Sequence, residues 1–583
     1  MCGITGIISK AKDNNVTLTN DLYVSLMNIQ HRGQDSCGYL INNDNENTIF
    51  KGTGLVKNNI SYDELSKIPG NIAIGHVRYP TTSGKTDGEN QPFSCKTKTN
   101  LNISIVHNGN VYNYEDIKKK LISNGYIFKS DSDTEVLLNY ICCKIDEYYN
   151  DTKKTDILKE LPDILSKILI DLYRNISGSY SVLLLIENFG LIAFCDKYAI
   201  KPLIYGDNNY NYLFVSESIA LDVLGYSKLG DIKPGEVYIV RNNINIENVN
   251  YNTGSILVSS SGLKYDGSGL DIRPCMFEYV YFARPESIIH NISVYEARTN
   301  MGYYLASKIR KELSTEELTE VSAIIPIPDT STISACKLSE ELNIPIKFGI
   351  IKNRYIDRTF IMKNNATRTN NIRQKLFIVK QEVYNKNIII VDDSIVRGNT
   401  CFHIVKELRN AGAKKIYFSS CCPQIRYKNV YGIDIPMATE LVAHNRTDDE
   451  IAKCIGADKV IYQELDDLKK SVINTNSNIN NIYDLKNKRV GIAGGSLDKS
   501  WLFFRAYCIK KIGEDPLKYF KPSFAAPPLV NGLMLNGALD AAFNYWNYSY
   551  WNNFTSHSKQ YSQFQRCRCS CSICWSLCCR SNS

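Results

Sequence analysis

The sequence predicts a multidomain chain of mixed α/β and α+β class: an N-terminal αββα layered domain, then an α/β domain built on a parallel sheet. Three observations predict it. At 583 residues the chain is too long for one ordinary core, and length points to roughly two to four domains. Tyr180–Ile186, Gly190–Phe194 and Leu213–Ser216 read as strands between polar turns, the pattern of stacked sheets. Val321–Ile325 and the apolar run from Asn387 each end in a polar turn, in a strand-helix-strand rhythm.

Composition excludes several classes. A charged fraction of 22% and a hydrophobic fraction of 44% describe a soluble globular protein. The longest apolar candidate, Tyr180–Phe194, is interrupted by Glu187 and Asn188, short of the roughly 18 residues of a membrane span. The start, MCGITGIISK, has no basic and apolar export signal, so a cytosolic protein with reduced thiols is expected. The net charge of +8 is spread without a basic stripe, which gives nucleic-acid binding little support.

At the N-terminus, loss of Met1 would expose Cys2 with its α-amine, a nucleophile and its own base on one residue. Position alone equally allows a buried N-terminal thiol. Four motifs follow: His31-Arg32-Gly33-Gln34-Asp35, Gly75-His76-Val77-Arg78-Tyr79-Pro80, His107-Asn108-Gly109-Asn110 and Ser132-Asp133-Thr134-Glu135. Their order and spacing resemble the class II glutamine amidotransferases, whose glutaminase domain is of the N-terminal nucleophile type.

The resemblance implies that Cys2 attacks glutamine, that Asn108 and Gly109 hold the oxyanion, and that Arg32, Arg78 and Asp133 bind the substrate. The chemistry fits these residue types. A tetrahedral intermediate needs a donor pair, and a zwitterionic substrate needs a cation for its carboxylate and an anion for its ammonium. Blander readings coexist: Asn108-Gly109 as a hairpin turn, and Ser132 or Asp133 as a helix cap before Val136–Ile141. Asp196–Leu203 departs from the family, with Ala199 and Lys201 where glycine and arginine are usual. Gly254–Gly269, rich in Ser and Gly, marks the domain boundary.

In the second part, NIIIVDDSIVRGNT (Asn387–Thr400) delivers paired carboxylates and a small polar turn to the carboxyl end of a strand, where open α/β sheets bind ligands. Alone, this is also compatible with a buried strand ending in an Asp-rich turn. VDDSIVRG closely resembles the phosphoribosyl pyrophosphate signature of the type I phosphoribosyltransferases. That resemblance implies a substrate site of Asp329, Thr330, Ser331, Lys352, Arg354, Arg358, Asp392, Asp393, Ser394, Val396, Arg397, Gly398 and Thr400, with Mg²⁺ held by Thr330, Asp392 and Asp393.

Lys352–Ile361 resembles the family's lid, with Asp357 where glycine is usual. Asn399-Thr400-Cys401 replaces the usual Thr-Thr-Ser, and a weaker thiol donor at Cys401 is expected to lower 5′-phosphate affinity. Pro274–Pro285 resembles the family's opening of the second domain. Cys275 matches a ligand of the iron–sulfur cluster that some members carry, but Asn429 stands at a second ligand position, so no cluster is expected.

The resemblance runs to about Val472. Asn474–Asn481 is a polar linker. Asp484–Tyr550 resembles a fragment of the solute-binding proteins of sulfonate and thiamine-precursor transport, too short to enclose a ligand. Six thiols crowd into Cys567–Cys579 of a Ser/Arg/Cys tail, 556–583, for which a shifted reading frame or misjoined gene model is the simpler account.

The expected domains are therefore 2–258, 270–472 and 484–552, with a linker at 474–483. The two motif sets together resemble the amidophosphoribosyltransferases. That family makes 5-phosphoribosylamine from glutamine and phosphoribosyl pyrophosphate at the first step of purine synthesis. The resemblance further implies purine-nucleotide inhibitors and a homotetramer. Glucosamine-6-phosphate and asparagine synthetases share the first domain but lack VDDSIVRG. A non-catalytic binding paralogue, decayed at Asp357, Asn399 and Cys401, is the alternative.

Overall fold

The computed structural model describes residues 2–10, 15–43, 46–79, 88–152, 157–241, 255–258, 272–353, 376–433, 437–472, 489–512, 515–520, 522–535, 539 and 541–543. The chain divides into two compact units, 1–473 and 474–583. Arg354, Asp357 and Arg358, the linker 474–483 and the tail 556–583 lie outside the described residues.

Unit 1 opens with β1 (Gly3–Ser9), β2 (Ser36–Asn42), β3 (Asn47–Thr53), β4 (Ile72–Arg78), β5 (Phe93–Lys96), β6 (Asn102–Val111), β7 (Gly178–Ile186), β8 (Gly190–Cys195), β9 (Ile204–Asp207), β10 (Asn211–Val215), β11 (Ser227–Asp231), β12 (Val237–Arg241) and β13 (Ser255–Val258). They form a seven-stranded sheet, β11-β9-β10-β1-β4-β2-β3, and a six-stranded sheet, β13-β12-β8-β7-β6-β5. Residues 255–258, read from composition as the start of a linker, instead pair with β12 as an edge strand.

Strand alternation explains the layering. Ile4 and Ile8 of β1 meet Val106, Leu183 and Leu191 of the other sheet. Ile7 turns the other way, onto Leu18, Leu22 and Leu26 of α1 (Asn15–Asn28). On the far side of the second sheet, Ile103, Ile105 and Leu184 pack against α2 (Asp133–Thr152) and α3 (Ile157–Asn175). The outcome is the αββα sandwich expected from the sequence.

The remainder of unit 1 carries β14 (Val321–Pro326), β15 (Asn387–Asp392), β16 (Lys415–Ser420) and β17 (Lys459–Tyr462) as a parallel sheet in that order. Ile388, Ile390 and Phe418 face α6 (Asn399–Asn410) and α7 (Asp448–Ile455). Ile389, Val391 and Tyr417 face α4 (Val294–Glu312) and α5 (Thr332–Leu342). One apolar cluster runs from α1 through Tyr279 and Val294 to Ile389, so the sandwich and the parallel sheet share a core.

In unit 2, β18 (Val490–Ala493) lies between β19 (Pro522–Ala525) and β20 (Ala541–Phe543), all parallel. Trp501 of α8 (Lys499–Ile512) is buried beside Phe504, Phe520 and Phe524. Among the described residues no helix is long and apolar enough to cross a membrane.

Candidate active sites

Strand register brings the N-terminal motifs together. Gly3 pairs with Val77 and Ser36 with Arg78, which puts Cys2, Arg78 and Ser36 in a row at one end of the first sheet. The backbone N–H of Cys2 donates to Asn108 Oδ1 at 3.2 Å, and its thiol approaches Tyr79 O at 3.7 Å.

Buried polar atoms without a hydrogen-bond partner surround this row: Asn108 Nδ2, Arg78 Nη1, Ser36 Oγ, Asn90 Oδ1 and both ring nitrogens of His76. An unsatisfied buried donor costs about 1–3 kcal/mol, so such a concentration marks a place built for ligand or water. Burial, with help from Arg78, pushes His76 well below the usual histidine range, and it stays neutral.

Asn108-Gly109 is not a hairpin turn. Both residues lie inside β6 and pair with Ser181 and Tyr180 of β7. Glycine is required at 109 by close approach, since a Cβ there would sit 2.0 Å from Ser179 O.

Asp133 occupies the first turn of α2, where Ser132 Oγ accepts from Thr134 N at 3.2 Å and acts as the cap. Asp133 Oδ2 accepts from Val111 N at 2.8 Å, fixing the carboxylate beside the oxyanion strand. Arg78 Nη2 is paired with Glu89.

Arg32 departs from the expected contact with glutamine. Its guanidinium is wholly buried, with Nε donating to Cys2 O at 3.0 Å, Nη1 to Glu217 at 2.5 Å and Nη2 to Glu278 at 2.9 Å. Those bonds occupy the guanidinium, so Arg32 holds the backbone of Cys2 rather than facing an open site. Burial alone would raise Glu217, but His31 and Arg32 outweigh it and hold the carboxylate well below the usual range. Glu217, Glu278 and Gln91 were not singled out from sequence. Gln91 binds His107 N, His107 O and the Thr134 hydroxyl at 2.6, 3.2 and 2.9 Å.

The second site lies at the carboxyl ends of β14 and β15. Asp392 Oδ1 accepts from Asp393 N at 2.9 Å, and Ser394 Oγ donates to Asp393 at 2.6 Å. Burial and the neighbouring Asp393 push Asp392 well above the usual carboxylate range. Gly398, at φ 76°, caps α6, and Phe402 N is bonded to Gly398 O at 2.8 Å. The amides of Asn399, Thr400 and Cys401 thus fall in the first helical turn, where N–H groups face an anion. Thr400 is exposed there.

Other expected ligands divide. Asp329 is exposed and bonded to Lys352 Nζ at 2.9 Å, with Thr330 half-buried next to it. Ser331 is a correction as a side-chain ligand: its buried hydroxyl reaches Ile327 O and Val391 O at 2.7 and 2.8 Å. Arg397 Nε is paired with Glu440 at 2.8 Å, and Val396 O accepts from Val442 N at 3.0 Å.

Cys401 is a second correction. Its thiol is buried, 3.9 Å from Asp392 Oδ2, so it bonds the carboxylate rather than a phosphate. α6 begins at Asn399, and its first turn points Cys401 inward.

Residues 430–432 lie against β6 and β7. Asn110 Nδ2 donates to Val430 O at 2.9 Å and Ser179 Oγ to Tyr431 O at 3.1 Å. A Cβ on Gly432 would meet Gly109 O at 3.0 Å. Glu440 and Val442 contact Arg397 and Val396.

A family model described as a glutamine amidotransferase domain matches residues 76–223. The amidophosphoribosyltransferase of Pasteurella multocida is 40% identical over 488 residues, covering 82% of this chain and 90% of that protein. That of Escherichia coli is 39% identical over 489 residues, covering 82% and 90%.

The chain belongs to the amidophosphoribosyltransferase family. Among solved structures, the glutamine phosphoribosyl pyrophosphate amidotransferase of Bacillus subtilis, complexed with ADP and GMP, is similar with a TM-score of 0.65 at 32% identity. That match covers 81% of this chain and 93% of that one. A structure described as the allosteric regulatory enzyme of purine biosynthesis gives a TM-score of 0.67 at 32% identity, covering 81% and 92%. The family's two catalytic halves, an N-terminal nucleophile glutaminase and a phosphoribosyltransferase, correspond to the sandwich and the parallel sheet.

Proposed function

We propose that this amidophosphoribosyltransferase releases ammonia from glutamine at Cys2 and transfers it to C1 of 5-phosphoribosyl 1-pyrophosphate, giving 5-phosphoribosylamine, pyrophosphate and glutamate. The observation that carries the first half is Asn108: its Oδ1 holds the nitrogen of Cys2 while its buried Nδ2 lacks a partner. That is the geometry of an oxyanion donor awaiting its anion.

With Met1 removed, the α-amine takes the thiol proton, the sulfur attacks the side-chain amide carbon, the same proton leaves on ammonia, and water then hydrolyses the glutamyl thioester to glutamate and returns the Cys2 thiol. Asn108 and Gly109 hold the oxyanion. Arg78 Nη1 takes the α-carboxylate and Asp133 the α-ammonium.

At the second site the α6 amides and Thr400 receive the 5′-phosphate, while Asp392 and Asp393 receive the ribose hydroxyls. Hard oxygen donors suit Mg²⁺. Asp392, Asp393 and Thr330 would hold it, and its charge would ease pyrophosphate departure.

Residues 2–258 carry the glutaminase and 270–472 the transferase. Purine-nucleotide inhibition, a tetramer and a cytoplasmic location complete the proposal.

Cys2→Ser tests the division of labour. Glutamine-dependent product should vanish while ammonia-dependent product persists; loss of both sinks the two-site reading.

A further inference from the structure

β5 begins its pairing with β6 at Phe93, opposite Ile105. Continued back to residue 91, the register would set Gln91 opposite His107, but Pro92 has no N–H with which to extend a ladder. The Gln91 side chain takes the place of the missing strand. Its Oε1 accepts from His107 N at 2.6 Å and its Nε2 donates to His107 O at 3.2 Å, the two bonds that a paired residue exchanges in an antiparallel sheet. A backbone amide would then have no hydrogen left to donate. The second hydrogen of Nε2 goes on to the Thr134 hydroxyl, in the first turn of α2, at 2.9 Å.

His107 completes the connection. Ser179 O can only accept, so His107 Nε2, 3.4 Å away, carries the ring proton. Burial lowers the pKa of His107 and keeps the ring neutral, which leaves Nδ1 to accept from the Thr134 hydroxyl at 3.1 Å. Gln91 is itself buried, and its backbone lies so close to β2 that a Cβ on Gly38 would stand 2.2 Å from Gln91 O.

The two residues joined in this way each adjoin a group assigned to glutamine. His107 precedes Asn108, and Thr134 follows Asp133. We propose that Gln91 is a positioning residue that fixes the separation of the oxyanion site from the ammonium site, and so makes the glutaminase selective for an amide that carries an α-ammonium at the chain length of glutamine. This rests on the roles given to Asn108 and Asp133 above. Asp133 keeps a second hold on Val111 N at 2.8 Å, so loss of Gln91 loosens the ammonium site without abolishing it.

The test measures ammonia release by the full chain from glutamine and from 4-carbamoylbutanoate, which is glutamine without its amino group. Gln91→Met keeps the length of the side chain and makes none of its three bonds. Its kcat/KM for glutamine should fall about 10²-fold, the size of effect that a small misplacement of a reacting group produces. Its preference for glutamine over 4-carbamoylbutanoate should shrink several-fold, because the oxyanion loss is common to both substrates and cancels in the ratio. Thr134→Val, which cuts the connection at the helix, should shrink the preference as well, and Thr134→Ser should restore it.

A damaged fold would lower both rates together and leave the preference as it was; ammonia-dependent turnover, which uses the other site, reports that the chain has folded. If Gln91→Met does not fold, the Thr134 pair decides. An unchanged preference in folded Gln91→Met or in Thr134→Val overturns the inference alone. A wild-type chain with no preference for glutamine overturns the assignment of Asp133 in the proposed function, and the inference with it.

Discussion

Arg32→Met separates a residue that holds the nucleophile from one that meets glutamine. Arg32, Glu217 and Glu278 are each 0% exposed. After the substitution Glu217 still has His31 at 2.7 Å, Ser287 Oγ at 2.8 Å and Arg284 N at 2.9 Å. Glu278 loses the guanidinium that bonds both its carboxylate oxygens, at 2.9 and 3.0 Å. Breaking a buried pair from one side costs about 3–5 kcal/mol because the other charge remains.

Urea unfolding followed by circular dichroism should therefore show a loss of about that size. The double variant Arg32→Met/Glu278→Gln, which removes the stranded charge, should recover most of it. Glutamine-dependent turnover should fall in both, since Cys2 O loses its 3.0 Å bond. If Arg32→Met instead keeps stability within about 1 kcal/mol, the range of an ordinary surface change, and only raises the KM for glutamine, Arg32 is a substrate ligand and the positioning role is wrong.

Asn108→Asp keeps an acceptor for the Cys2 nitrogen but removes the donor, so glutaminase kcat should drop about 10²–10³-fold with ammonia-dependent turnover intact; a smaller drop places the oxyanion elsewhere. Gly109→Ala would force a methyl into Ser179 O, 2.0 Å away. Both the melting temperature and glutaminase activity should fall, and a wild-type melt refutes the close approach. Asp392 has a raised folded pKa, so its contribution is fully present below its unfolded value of about 4 and is lost as pH rises through the folded one. Without substrate, Asp392→Asn should melt like wild type near pH 4 and above it at pH 8, while losing phosphoribosyl pyrophosphate affinity; a pH-independent difference in melting refutes this.

What was legible depended on how local the physics is. The β15 strand and its Asp392-Asp393 terminus were readable because an apolar run that stops at two carboxylates has few alternatives. The oxyanion pair was readable only as chemistry: an Asn-Gly dipeptide in isolation says turn, and the long β6–β7 pairing overrides it. Arg32 was misread because its neutralising partners lie 185 and 246 residues away. Glu278 does lie in the Pro274–Pro285 segment, but Glu217 has no local signature. Cys401 was read as facing the phosphate, but its place in the first turn of α6 turns the thiol inward, toward Asp392.

Two sets of contacts join the sandwich to the rest of unit 1, and their energetics differ. One is the chain Cys2, Arg32, Glu278, followed by Arg298, whose guanidinium binds Tyr279 O and Ala283 O at 2.9 and 2.8 Å and whose carbonyl accepts from Ser334 at 2.8 Å. Moving it strands buried charge at about 3–5 kcal/mol, more than the 1–3 kcal/mol that typically couples two sites. The other is residues 430–432, held to β6 and β7 by the neutral bonds of Asn110 and Ser179, each worth about 1 kcal/mol. Releasing those bonds lies within the coupling range. The buried ions therefore hold the halves more firmly than the neutral bonds do.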